Sequence, residues 1–204
     1  MPAIHSAWKT QILAYGSRAF SELDHYQGFR SLYGRVRQLG DLPGELAEAL
    51  DRVAGCCPDY PESRAGRELE QEFLRLFLTP GGLRPYESAY RPESGDAYDG
   101  VRRFYRDHGL SRPARRLCPE DHVAVELQVL AEQWGAGRQV TYYRFLKTHL
   151  SSWLPRFFAD VKQHTESPYF HALADLLLTV VELDMRHVAS ASHRPVHGKA
   201  AGES

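Results

Sequence analysis

Apolar side chains recur at helical spacing through most of this chain, and Val, Ile and Thr nowhere alternate over a sustained run, so helix packing must build the core. Trp8, Ile12 and Tyr15, then Leu32, Tyr33 and Val36, mark a stretch from about residue 6 to 39. Gly16, Gly28 and Gly34 weaken it, and a break into two shorter helices is expected. Gly40 closes this segment, and the next opens at Asp41, with Pro43 in its first turn and Leu46, Leu50 and Val53 on one face. Further helices are read at about 62–78, 96–108 (ended by Gly109), 120–134, 139–150, 152–164 and 168–188. The expected fold is all-α: a single globular helical domain of roughly ten helices over residues 1–188, without internal repeats. Its two halves are joined by a long linker from Thr79 to Pro119, and residues 189–204, rich in Ser, His, Ala and Gly, are expected to be a disordered tail.

Charge and cysteine usage narrow the function classes. A net charge of −1 argues against a nucleic-acid or anionic-membrane binder. No apolar run is long enough to span a bilayer, and Met1–Thr10 lacks a basic region followed by an apolar one, so no export signal is read. Cys56 and Cys57 are neighbours, whose bridging needs a strained ring, and Cys118 stands apart. Reduced thiols in a cytoplasmic protein are expected.

The stretch from Phe73 to Arg91 is unusual. It begins as the end of an amphipathic helix, with Leu69, Phe73, Leu76 and Phe77 on one face, and Pro80-Gly81-Gly82 stops that helix. The following loop carries Leu83, Pro85, Tyr86 and Tyr90, where a solvated loop would carry small polar residues. Such a loop is either packed onto the core or presented to a partner, and simple packing is the commoner case.

A second unusual stretch runs from Cys118 to Trp134. On a helical wheel Val123, Leu127, Leu130 and Trp134 form one apolar stripe and Val125 with Val129 another. His122, Glu126 and Gln133 lie on a line between them, while Ala124, Gln128 and Glu132 fall on the wet face. Three readings are open for His122 and Glu126. They pair internally at i, i+4, the commonest outcome for buried polar groups. They join Cys118 in a metal site or small helical enzyme, although three ligands spaced along one helix reach too far for one ion. Or Asp121, His122 and Glu126 line a pocket for a partner's polar group.

Catalytic signatures are missing from the sequence: no glycine-rich phosphate loop after a strand, no Gly-x-Ser-x-Gly elbow, no His-Glu-x-x-His. A Cys118–His122 nucleophile pair would lack a thiolate-stabilising neighbour beyond Arg115 and Arg116.

Taken together the two stretches resemble the TorD/DmsD/NarJ family of chaperones for molybdenum-containing redox enzymes. The resemblance rests on Phe73, Leu76 and Phe77 at a helix end, then Pro85-Tyr86-Glu87-Ser88-Ala89-Tyr90, and on Pro119-Glu120-Asp121-His122 opening a helix. His149-Leu150-Ser151-Ser152-Trp153-Leu154-Pro155 and Tyr169-Phe170-His171-Ala172-Leu173-Ala174 extend it, to cover about residues 69–183. One departure is that Glu120 stands where the family usually has proline directly before Asp-His.

The resemblance implies a non-enzymatic, cofactor-free cytoplasmic chaperone. Its partner would be a molybdoenzyme catalytic subunit, bound through the N-terminal twin-arginine leader and held from export during cofactor insertion. The protein would be a monomer or a dimer formed by exchanging halves. Phe73, Leu76, Phe77, Tyr86 and Tyr90 would meet the apolar part of the leader, and Pro85 and Ser88 would also belong to the leader-binding site. Glu87, Asp121 and Glu126, with His122 beside them, would meet its arginines.

Overall fold

The computed structural model describes residues 7–40, 42–94, 97–111 and 118–192. Helices α1 (Ala7–Ala19), α2 (Phe29–Gln38), α3 (Gly44–Cys56), α4 (Arg64–Phe77) and the single turn α5 (Glu87–Tyr90) make the first part. Helices α6 (Ala97–Asp107), α7 (Val123–Gly135), α8 (Gln139–Phe145), α9 (Ser151–His164) and α10 (Pro168–Ser192) follow. Among the described residues there is no strand, so the all-α expectation holds; one isolated antiparallel bridge joins Tyr86 to His122.

The break expected between the first two helices falls after Ala19, where a 3-10 turn at His25–Gly28 leads into α2. Gly16 stays within α1, where a Cβ would stand 2.7 Å from a Leu177 methyl, so a larger residue would push that side chain of α10 aside. Helix α1 lies against α7, while α3 and α9 pack on α10. Early and late helices thereby share one core, in which Ile12, Leu13, Leu50, Leu127, Phe157 and Leu173 are fully buried.

Polar groups in that core are paired across helices. Lys9 of α1 donates to Asp184 of α10, which also accepts from the Tyr142 hydroxyl. The ammonium lies 3.7 Å from the Trp134 ring centroid. Burial lowers the Lys9 pKa, and Asp184 opposes that shift. Tyr15 and Tyr169 share a hydroxyl–hydroxyl bond between the same two helices.

Helix ends follow the sequence signals, with corrections. After α4, Gly81 adopts φ 89°, and the Leu83 amide donates to the Leu76 carbonyl at 2.7 Å. Helix α7 starts at Val123 rather than about Glu120, because His122 caps it. A π turn, Leu146–Leu150, joins α8 to α9 in place of the regular helix expected to residue 150. Helix α10 continues to Ser192, into the stretch read as a tail. Residues 193–204, Asp41 and residues 112–117 of the expected linker, including Arg112, Arg115 and Arg116, lie outside the described residues.

Candidate functional site

The loop after α4 is fastened by backbone bonds to the segment that opens α7. The Val123 amide donates to the Pro85 carbonyl, and the Glu87 amide to the Asp121 carbonyl, each at 2.8 Å. These two bonds form the Tyr86–His122 bridge. The Ser88 amide adds a bond to Asp121 Oδ2 at 3.2 Å, and the Tyr86 ring meets the imidazole edge-on at 5.0 Å. The two sequence motifs are thus one structure.

His122 is the N-cap of α7. Its Nδ1 accepts from the Ala124 amide at 3.0 Å, which places the proton of the neutral ring on Nε2. Ala124, expected on the wet face, is fully buried, because α1 covers that side and Ser17 donates to the Ala124 carbonyl at 2.5 Å. Gln128 and Glu132 do face outward, joined at 2.9 Å.

Two carboxylates are completely buried beneath the bridge. Glu126 Oε2 accepts from Trp153 Nε1 of α9 at 3.2 Å, so its bond runs to α9 and not along α7 to His122. Its Oε1 meets no N–H donor; Glu87 is the neighbouring carboxyl, to which a protonated Glu126 can donate. Burial, then that negative neighbour, push Glu126 well above the usual carboxylate range, which favours the neutral acid at this position. Glu87 holds two partners: His149 Nδ1 at 3.0 Å on one oxygen and the Arg91 guanidinium on the other. Arg91 also donates to the Thr148 carbonyl at 3.3 Å, so the π turn supplies a ring nitrogen and a carbonyl to the same corner.

The remaining expected residues divide into floor and edge. Phe73 and Leu76 are buried in the core, as is the Pro85 side chain. Phe77 is half-buried, with ring centroids of Phe73, Phe20 and Phe170 at 5.4, 5.5 and 5.7 Å. Tyr90 is half-buried, lies 5.7 Å from Trp153 and donates to Asp160 at 2.8 Å. Tyr86 is half-buried and Ser88 exposed, whereas Glu87, Asp121, His122 and Glu126 are shut beneath them. Cys118 lies just before the bridge, half-exposed. Among the described residues no three His, Cys, Asp or Glu side chains are grouped to hold a metal ion.

Sequence reasoning passed over the partners. His149 and Trp153, four apart, entered only through the family resemblance, and Arg91 only as the end of a loop. A buried glutamate demands a donor, and that demand was the signal pointing to polar residues on otherwise apolar helices. Nothing in the sequence singles out Asp160.

The family model of the nitrate reductase delta subunit matches residues 39–159. The chaperone protein TorD of Vibrio parahaemolyticus is 27% identical over 179 residues, which cover 79% of this chain and 80% of that protein. The chaperone protein TorD of Escherichia coli is 31% identical over 150 residues, covering 68% and 73%. That of Aliivibrio fischeri is 25% identical over 205 residues, covering 89% and 92%.

Proposed function

The chain belongs to the nitrate reductase delta subunit family, and on that footing we propose that it is a maturation chaperone dedicated to one redox enzyme. It binds the twin-arginine leader of a molybdoenzyme catalytic subunit in the cytoplasm and delays export until the cofactor is inserted. It works by binding and release, without catalytic turnover.

The observation that carries this reading is the Tyr86–His122 bridge. It sets Tyr86 and Ser88, with Tyr90 at the end of the same turn, over the buried carboxylates of Glu87 and Asp121. A twin-arginine leader carries an apolar segment beside two guanidinium groups, and an aromatic edge with carboxylates behind it has the complementary chemistry. The relatives named as chaperones support the same reading.

Calorimetric titration with a synthetic leader peptide tests it. Wild-type protein should bind, and Tyr86→Ala and Asp121→Asn should each weaken binding while melting normally. Unchanged affinity in both variants, with intact melts, places leader binding elsewhere. Capture from the native host should yield a molybdoenzyme subunit that retains its leader.

A further inference from the structure

Glu87 is a fully buried carboxylate whose cationic partner comes from the surface. The Glu87 side chain is 0% exposed and that of Arg91, which contacts it, is 27% exposed. Arg91 directly follows α5, a single turn of four residues held to the rest of the site by the bridge. Its guanidinium therefore runs from solvent down to Glu87, and it takes a second acceptor, the Thr148 carbonyl, at 3.3 Å. Opposite it, His149 Nδ1 fixes the other carboxylate oxygen at 3.0 Å. Glu126 stands next to Glu87, carboxyl against carboxyl.

We propose that Arg91 is an internal stand-in for an arginine of the bound partner: it fills the guanidinium seat formed by Glu87 and the Thr148 carbonyl, and the partner's arginine displaces it. The inference rests on the leader-binding reading above and adds the regulation of that site.

Three features support exchange over a fixed structural pair. Without Arg91 the buried Glu87 carboxylate would keep only His149, so an empty seat is disfavoured. The seat therefore opens only as another cation arrives. Both acceptors take their bond from a single terminal nitrogen of Arg91, Nη1, so one group alone holds the side chain in the seat. Arg91 belongs to no long helix: it stands at the C-terminal end of the one-turn α5. While Arg91 occupies the seat, the apparent affinity for a partner arginine falls by the fraction of time the seat is free.

The test compares wild type, Arg91→Gln and Arg91→Ala. Each is titrated with a synthetic leader peptide carrying its two arginines and with the same peptide carrying glutamines there. Arg91→Gln should bind the arginine peptide at least about fivefold more tightly than wild type, since no internal competitor remains. It should gain nothing toward the glutamine peptide. Independently of any leader, ethylguanidinium should raise the melting temperature of Arg91→Ala more than that of wild type.

If folded Arg91→Gln binds the arginine peptide no more tightly while wild type binds it, the stand-in is refuted and leader binding survives. If no variant binds leader but ethylguanidinium rescues Arg91→Ala, the seat is a guanidinium site and leader binding is what fails. If ethylguanidinium also has no effect, Arg91 is only a structural partner of Glu87.

Discussion

Tyr86 is paired through its backbone with His122, while its ring rests edge-on against the His122 imidazole. A loop that follows one helix is thereby anchored to the cap of another. The anchor uses main-chain groups, so the side chains at its outer edge remain available for contact. Several consequences can be measured.

His122 acts first as a cap. His122→Ala should lower stability by about 1 kcal/mol, the usual loss when a side-chain cap is removed. His122→Asn supplies a favoured capping oxygen and should regain most of that stability in a thermal melt. If His122→Asn melts like wild type yet binds leader more weakly, the imidazole takes part in binding as well as in capping.

The buried titratable groups give stability two opposed pH limbs. Burial, reinforced by Glu87, raises the folded-state pKa of Glu126, so its contribution is complete below the usual carboxylate range and is lost as pH rises through the folded value. Burial lowers His25 to about 4, so its contribution is present above the ordinary histidine range and is lost as pH falls toward that value. Glu126→Gln keeps an acceptor for Trp153 and should flatten the alkaline limb. His25→Phe should flatten the acid limb. Denaturant titrations across pH would show both, and an unaltered alkaline limb in Glu126→Gln would exclude Glu126 as its source.

Lys9 and Asp184 form a buried ion pair in which each needs the other. Lys9→Met leaves Asp184 with only the Tyr142 hydroxyl and should cost about 3–5 kcal/mol, the range for an orphaned buried charge. The double variant Lys9→Met/Asp184→Leu should recover part of that loss. Equal melting of the single and double variants would show that the orphaned charge is not the penalty.

Phe77 and Tyr86 should separate stability from affinity. Phe77 is half-buried within a ring of phenylalanines, so Phe77→Ala should cost about 2–3 kcal/mol, below the range for a fully buried phenylalanine. Tyr86→Ala retains the backbone bridge and should lower leader affinity with little change in melting. Titration and melts on the same samples distinguish the two.

Much of the fold is legible from spacing. The Leu69–Phe77 stripe gives α4, and Pro80-Gly81-Gly82 gives its stop, because periodicity and helix-breaking act within a few neighbouring residues. Both motifs of the site are legible for the same reason. Their union is not, since main-chain bonds between Pro85 and Val123 leave no mark on residue types. The wheel also misplaced Ala124: it reports where the large apolar side chains of one helix lie. It cannot register that α1 arrives on a side lined by small residues. Likewise the partner of Glu126 sits on α9, beyond the reach of any reading confined to α7.

The interleaving of α1 with α7 and α10, locked by Lys9–Asp184 and Tyr15–Tyr169, has a kinetic corollary. If two chains exchange halves, every one of these contacts is remade between chains, and the closed and exchanged forms differ little in energy. Passing from one to the other nevertheless requires the shared core to come apart, so the barrier is that of global unfolding. Monomer and exchanged dimer would then coexist as species that dilution interconverts only slowly. The proportion of each in a preparation would record the protein concentration at which the chains folded.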